Sequence, residues 1–310
     1  MRTLVVEPEV LARVADRLDA IADRPPVHLP ALRACLAELE PAWSGTAAAA
    51  ACARLRQLIG LCPEPPLDLL PAQERDRLNR ERYPGGIPFL DRSDALLLSY
   101  SEEGDGRLVV SFGDPDTARN IVTYVPGMGS SLHDSAGELE RAVALRERAG
   151  PDTAVVMWLD YDAPDFADAV LLKSAREGAE ALRRFQAGLE ANHTGEIGQR
   201  TIIGHSYGSV VVGLAEREGD LIADDIVALG SPGMGVPTAS DLRDPSQVWA
   251  STARNDPIRL VPGFLLGRDP DSPRFGAQRF ESAPMGHSGY FRPDNPALDT
   301  LAKIATIGTA

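Results

Sequence analysis

Residues 201–213 read TIIGHSYGSVVVG. A short β-branched run ends at Gly204, the pentad Gly204-His205-Ser206-Tyr207-Gly208 follows, and a second apolar run begins at once. The string G-x-S-x-G arises easily by chance in a chain with 28 glycines, so its context has to carry the reading. A nucleophile elbow needs a buried strand ending at the first glycine, a strained turn that lifts the serine side chain, and a helix starting behind it. Glycine is needed on both sides because larger side chains collide where the strand and helix backbones pass closely. Both flanks fit, which makes Ser206 a candidate nucleophile.

Outward from this stretch the same grammar repeats. ALLLSYS (95–101) and RLVVSFG (107–113), separated by EEGDG, read as an antiparallel hairpin. NIVTYV (120–125), TAVVMWL (153–159), a helical stretch from about 165 to 191, RTIIG, a helix from Tyr207, DIVAL (225–229), QVWAS (247–251) and a last helix from Pro296 then follow. Near-continuous apolar strands alternating with helices predict an α/β fold, a mostly parallel sheet covered by helices on both faces. No internal repeat is visible.

The segment before residue 76 is different. Val10, Leu11, Val14, Leu18 and Ile21 share one helical face, and Pro25-Pro26 ends it. Leu32, Cys35, Leu36 and Leu39 form a second face, and Ala48, Cys52, Leu55 and Ile59 a third, beyond the turn Trp43-Ser44-Gly45. This predicts a small helical module over 1–75 and a catalytic domain over 76–310. The Trp-x-Gly turn resembles that of the small helical-hairpin proteins exported by type VII secretion, although the Y-x-x-x-D/E signal expected after the last helix is missing; a plain packing turn is the other reading.

Composition narrows the function. A net charge of -14 and the lack of a basic stripe weigh against a nucleic-acid partner. No apolar run reaches the 18 residues that begin to read as a membrane span, and the opening MRTLVVEPEVLARVADRLD lacks the pattern of a signal peptide, so the expected location is cytoplasmic. Cys35, Cys52 and Cys62 lack metal or redox spacing and read as reduced core thiols. The histidines, His28, His133, His193, His205 and His287, show no ligand spacing, so neither a metal nor any other cofactor is expected.

In such a sheet the working groups gather beyond the carboxyl ends of the strands. Those loops hold Pro126-Gly127-Met128-Gly129-Ser130, then Asp160 and Asp162, Ser206, Asp256, and finally His287 within Met285-Gly286-His287-Ser288-Gly289. A serine hydroxyl needs a base within reach, and the base needs a third group to fix its tautomer. His287 and Asp256 fill those posts, with Asp162 or Asp160 as fallback for the acid. The oxyanion needs two donors, for which the amides of Tyr207 and Met128 are the candidates. Gly127 lets the backbone approach a ligand, and His133, just past this loop, is a candidate substrate contact. A dinucleotide turn at GMG would need a third glycine where Leu132 stands. The side chains of His205 and Tyr207 are expected to pack the elbow. In Pro262-Gly263-Phe264-Leu265-Leu266-Gly267, Phe264 and Leu265 are candidates for an apolar substrate wall or lid.

LNRERYPGG, GDPDTARNIVTYVPGMGSS, WLDYDAP, GHSYGS, ALGSPG and HSGYF, spread from about residue 75 to the end, together resemble the α/β-hydrolase family catalogued as an actinobacterial domain of unknown function. The resemblance implies the α/β-hydrolase fold, with Ser206 as nucleophile, Asp256 as acid and His287 as base. The expectation is a serine hydrolase acting on a small-molecule carboxylic ester or related acyl bond. A thioesterase, lactonase or amidase would use the same groups, and a non-catalytic interaction protein on a hydrolase scaffold is the rival of another class. A partner of the helical module, or a homo-oligomer, is left open.

Overall fold

The computed structural model describes residues 67–83, 85–104, 106–163 and 172–307, together with Leu36 and Cys52. The chain divides into two units, Met1–Leu70 and Pro71–Ala310. In the first, Cys52 is a buried free thiol and Leu67–Leu69 form a single turn of 3-10 helix. The helical faces read between residues 10 and 59, the Trp43 turn, Cys35 and Cys62 otherwise lie outside the described residues.

The second unit is built on an eight-stranded sheet. Its strands are β1 (Ala95–Ser101), β2 (Arg107–Phe112), β3 (Asn120–Val125), β4 (Thr153–Leu159), β5 (Gln199–His205), β6 (Asp225–Leu229), β7 (Val248–Ser251) and β8 (Gln278–Arg279), in the order β1-β2-β4-β3-β5-β6-β7-β8. The β1–β2 hairpin is antiparallel, as its turn residues require, and β2 meets β4 antiparallel; every pairing from β4 through β3 to β8 is parallel. Strands β3, β4 and β6 are buried along their whole length, which is why they read as unbroken Val/Ile/Leu runs.

Helices α1 (Ala72–Arg82), α2 (Ala136–Ala149), α3 (Lys173–Asn192), α4 (Gly208–Glu218), the single turn α5 (Gly263–Leu266) and α6 (Pro296–Ile307) follow in chain order. Helix α2 packs with α6, and α3 with α4, and both pairs contact the sheet. In α3 the buried Ala175, Gly178, Ala179, Leu182, Phe185 and Leu189 recur three to four residues apart, so one face enters the core. The described helix starts at Lys173; the part of the predicted helix between 164 and 171 lies outside the described residues.

Helix α1 has no apolar stripe and works through polar side chains instead. Arg75 Nε donates to Leu98 O (3.0 Å), Asn79 Nδ2 to Leu97 O (3.0 Å) and Arg80 Nη2 to Ala95 O (2.9 Å), while Asp76 Oδ1 accepts from the Leu97 amide (2.6 Å). Strand β1 is an edge, and α1 covers its open backbone groups. The helix straddles residue 75, where the sequence pattern placed the end of the first module.

Candidate active site

The elbow follows from backbone geometry. Strand β5 ends at His205, Ser206 turns into the left-handed region with φ of 53°, and α4 starts at Gly208. A non-glycine residue held there costs on the order of 1–3 kcal/mol and persists only where its surroundings fix it. They do so here: the Ser206 amide donates to Leu229 O on β6 at 2.9 Å, and its carbonyl accepts from the Ser209 amide at 3.1 Å and the Ser209 hydroxyl at 2.6 Å. Both glycines of the pentad are demanded by close approach. A Cβ on Gly204 would lie 2.5 Å from Ser209 Cα, and one on Gly208 would lie 2.2 Å from Val125 O.

Asp256 leaves β7 and turns at Pro257. Its Oδ1 accepts from the Ile258 amide at 2.8 Å, capping the 3-10 turn Pro257–Leu260. His287 Nδ1 lies 2.9 Å from both carboxylate oxygens, and the buried Tyr290 hydroxyl donates to Oδ2 at 2.5 Å. Burial works to raise the Asp256 pKa, but the hydrogen bonds from His287, Tyr290 and the Ile258 amide together hold the carboxyl below its usual range. A carboxylate facing Nδ1 places the ring proton there and leaves Nε2 as the basic nitrogen. Nδ1 is the ring nitrogen that is paired, and among the described residues no hydrogen bond joins Nε2 to Ser206 Oγ. In unliganded sites this bond is commonly long and tightens with substrate.

His205 lies directly below. Its Nε2 donates to the His287 carbonyl at 2.8 Å, and the two rings are 4.8 Å apart at their centroids. Burial, reinforced by the neighbouring His287 and Arg141, pushes its pKa down to about 3, so His205 is a neutral packing group under the base.

The loop after β3 brings Gly127 against Ser206; a Cβ there would fall 2.6 Å from the Ser206 Cβ. The buried Tyr161 hydroxyl holds this loop by donating to Pro126 O at 2.7 Å. Neither the Met128 nor the Tyr207 amide donates to any described residue, and both residues, with Ser206, line a cleft of about 350 Å³. Leu265 lines the same cleft. The Phe264 side chain lies outside the described residues. His133 is elsewhere, in a separate depression with Tyr83, Tyr100 and Leu132. Asp160 and Asp162 face Arg107, at 3.6 and 3.8 Å, and not the imidazole. Sequence reasoning missed Tyr290, Tyr161 and Ile258; Tyr290 sits three residues after His287 in HSGYF, but a tyrosine at that spacing says nothing until the fold turns it onto Asp256.

Among the described residues no cluster of three or more His, Cys, Asp or Glu could hold a metal ion, and no helix is long and apolar enough to cross a membrane.

A family model described as alpha/beta hydrolase matches residues 102–265, more than half of the chain, and the chain belongs to that family. Its fold is accordingly the α/β-hydrolase fold, and its class is that of a hydrolase. Uncharacterized protein Rv2079 of Mycobacterium tuberculosis (strain ATCC 25618 / H37Rv) is 34% identical over 245 residues, which take in 66% of this chain and 37% of that protein. Uncharacterized protein Rv0963c of the same strain is 34% identical over 208 residues, 63% of this chain and 73% of that protein. The chain thus spans little more than a third of the length of Rv2079. Among solved structures, an arylesterase aligns with a TM-score of 0.45 at 14% identity, over 77% of this chain and 92% of its own. An a/b serine hydrolase without lid from Xanthomonas campestris aligns with a TM-score of 0.40 at 16% identity, over 72% of this chain and 96% of its own.

Proposed function

We propose that the protein is a serine hydrolase that cleaves a carboxylic ester or related acyl bond of a small molecule through Ser206, His287 and Asp256. The observation that carries this reading is the pairing of His287 Nδ1 with both oxygens of the buried Asp256 beside a serine held at positive φ. Ser206 Oγ adds to the carbonyl carbon while His287 Nε2 takes its proton. The developing oxyanion falls to the unpaired amides of Met128 and Tyr207. His287 then returns the proton to the leaving oxygen as the old carbon–oxygen bond breaks, which leaves an acyl-enzyme. Water, deprotonated by His287, attacks the acyl carbon and releases the acid. Net, one ester and one water give one acid and one alcohol. Thioesters, lactones and amides fit the same steps.

The test is intact-mass labelling with a fluorophosphonate, beside Ser206→Ala. A single adduct that disappears in the variant is the expected result. A folded protein that takes up no label would move the function to the N-terminal segment and a binding partner.

A further inference from the structure

The proposed reaction does not say which half of the ester the protein recognises, and the cleft beside Ser206 does. We propose that this cleft is an acyl-chain pocket and that the substrates are esters of uncharged, straight-chain acids of medium length; the inference rests on the serine-hydrolase reading.

Direction comes from where the three working groups lie. Ser206, Met128 and Tyr207, which would hold the carbonyl carbon and its oxygen, line the cleft; His287, which must protonate the leaving oxygen, does not. The leaving group therefore departs on the histidine side and the acyl chain enters the cleft. Chemistry comes from the wall, which is formed by Ile258, Leu260, Val261, Pro262, Leu265 and Leu266, all from the ten residues after Asp256. The one charged residue of that segment, Arg259, is tied away: Nε donates to Ala253 O at 3.1 Å, and Nη2 to Thr252 O and to Asp271 Oδ2, the latter at 2.6 Å. A charged acyl group would lose its water here and find no partner.

Exposure points the same way. Only three large hydrophobic residues are exposed among the described residues, and two of them, Leu260 (84%) and Leu265 (37%), belong to this wall. Size bounds the chain length, because 350 Å³ holds at most about twelve water-sized groups at roughly 30 Å³ each. The wall is also fixed to the catalytic apparatus, since the carboxylate that orients His287 accepts from the Ile258 amide at 2.8 Å.

The experiment is a kcat/KM series on p-nitrophenyl esters from acetate to dodecanoate, beside acetate esters of alcohols of rising length. The expected result is a gain of about three- to fourfold per methylene in the acyl series up to roughly eight to ten carbons, little change in the alcohol series, and a loss of about 100-fold or more for a monosuccinate against the neutral ester of equal length. Leu260→Ser and Leu265→Ser should each lower the octanoate-to-acetate ratio about fivefold or more. A flat acyl series with measurable turnover, a rise in the alcohol series instead, or ratios unmoved by both variants would overturn the pocket and leave the hydrolase standing. The same acyl series is also titrated into Ser206→Ala by calorimetry. Binding that tightens with chain length while the wild type turns over nothing would keep the pocket and sink the reaction, and binding indifferent to length would sink the pocket.

Discussion

The Tyr290 hydroxyl donates to Asp256 Oδ2 at 2.5 Å while accepting from the Ala253 amide at 3.0 Å, so one buried side chain ties the carboxylate to the strand end from which it emerges. Asp256 thereby collects donors from three directions: a phenol, an imidazole and the Ile258 amide. Hydrogen bonds to an ionised group are worth roughly twice their neutral counterparts, and together they outweigh the burial that would otherwise favour the protonated acid.

Removing one of those donors should show in the pH profile. In Tyr290→Phe the Asp256 pKa rises, because burial stays and one hydrogen bond to the charged form goes. The carboxylate must be ionised to orient His287, so activity lost on acidification should be lost at a higher pH than in the wild type. The measurement is kcat/KM against pH for both proteins. We expect an acidic limb displaced upward by about one pH unit, in line with about 1.5 kcal/mol for a charge-assisted bond, and little change at neutral pH, where Asp256 is ionised in both proteins. An unmoved limb would make Tyr290 a packing residue only.

Asp256→Asn keeps the shape but takes away the acceptor that places the proton on Nδ1. Activity should drop by on the order of 10⁴, the size of the equivalent change in a serine protease. Asp160→Asn and Asp162→Asn should stay within about twofold of the wild type, because those carboxylates face Arg107 and surface pairs of that kind contribute little. A collapse of activity in either would reassign the acid.

Ser206→Ala and His287→Ala should each abolish most of the turnover of a neutral ester, and the double variant should lose little more, since the two act as a unit. Multiplicative losses in the double variant would mean that the two side chains work independently. Circular dichroism and a urea unfolding curve on all three would check that they remain folded.

What the sequence made legible was whatever is written in side-chain periodicity and in glycine. The buried strands declare themselves as apolar runs because both faces are covered, and the elbow is readable because Gly204 and Gly208 stand where a Cβ would collide with Ser209 and Val125. Helix α1 was not legible, since AQERDRLNRER holds the sheet edge through Arg75, Asp76, Asn79 and Arg80 without an apolar stripe. Strand β8, two exposed residues long, carries no pattern to detect. His133 follows the oxyanion loop by only a few residues, yet the chain turns it into another depression. Asp256 could be separated from Asp160 and Asp162 only by seeing which carboxylate the His287 ring reaches.

His205 should govern part of the acid sensitivity of the fold. Its folded pKa is lowered to about 3 from 6.5, so between those values the unfolded chain binds a proton that the native protein does not. Stability therefore falls as pH drops from about 6.5 toward 3, by at most about 1.4 kcal/mol per pH unit for one site. Asp116 works in the opposite sense: burial raises it to about 6, so the native form binds its proton first and gains stability as pH falls from 6 toward 3.8. Only a comparison isolates His205. In His205→Gln, whose amide can still donate to the His287 carbonyl, unfolding free energies from urea titrations at pH 7, 5.5 and 4.5 should decline less steeply than in the wild type. Parallel declines in the two proteins would show that His205 takes up its proton in the folded state or that the acid loss arises elsewhere.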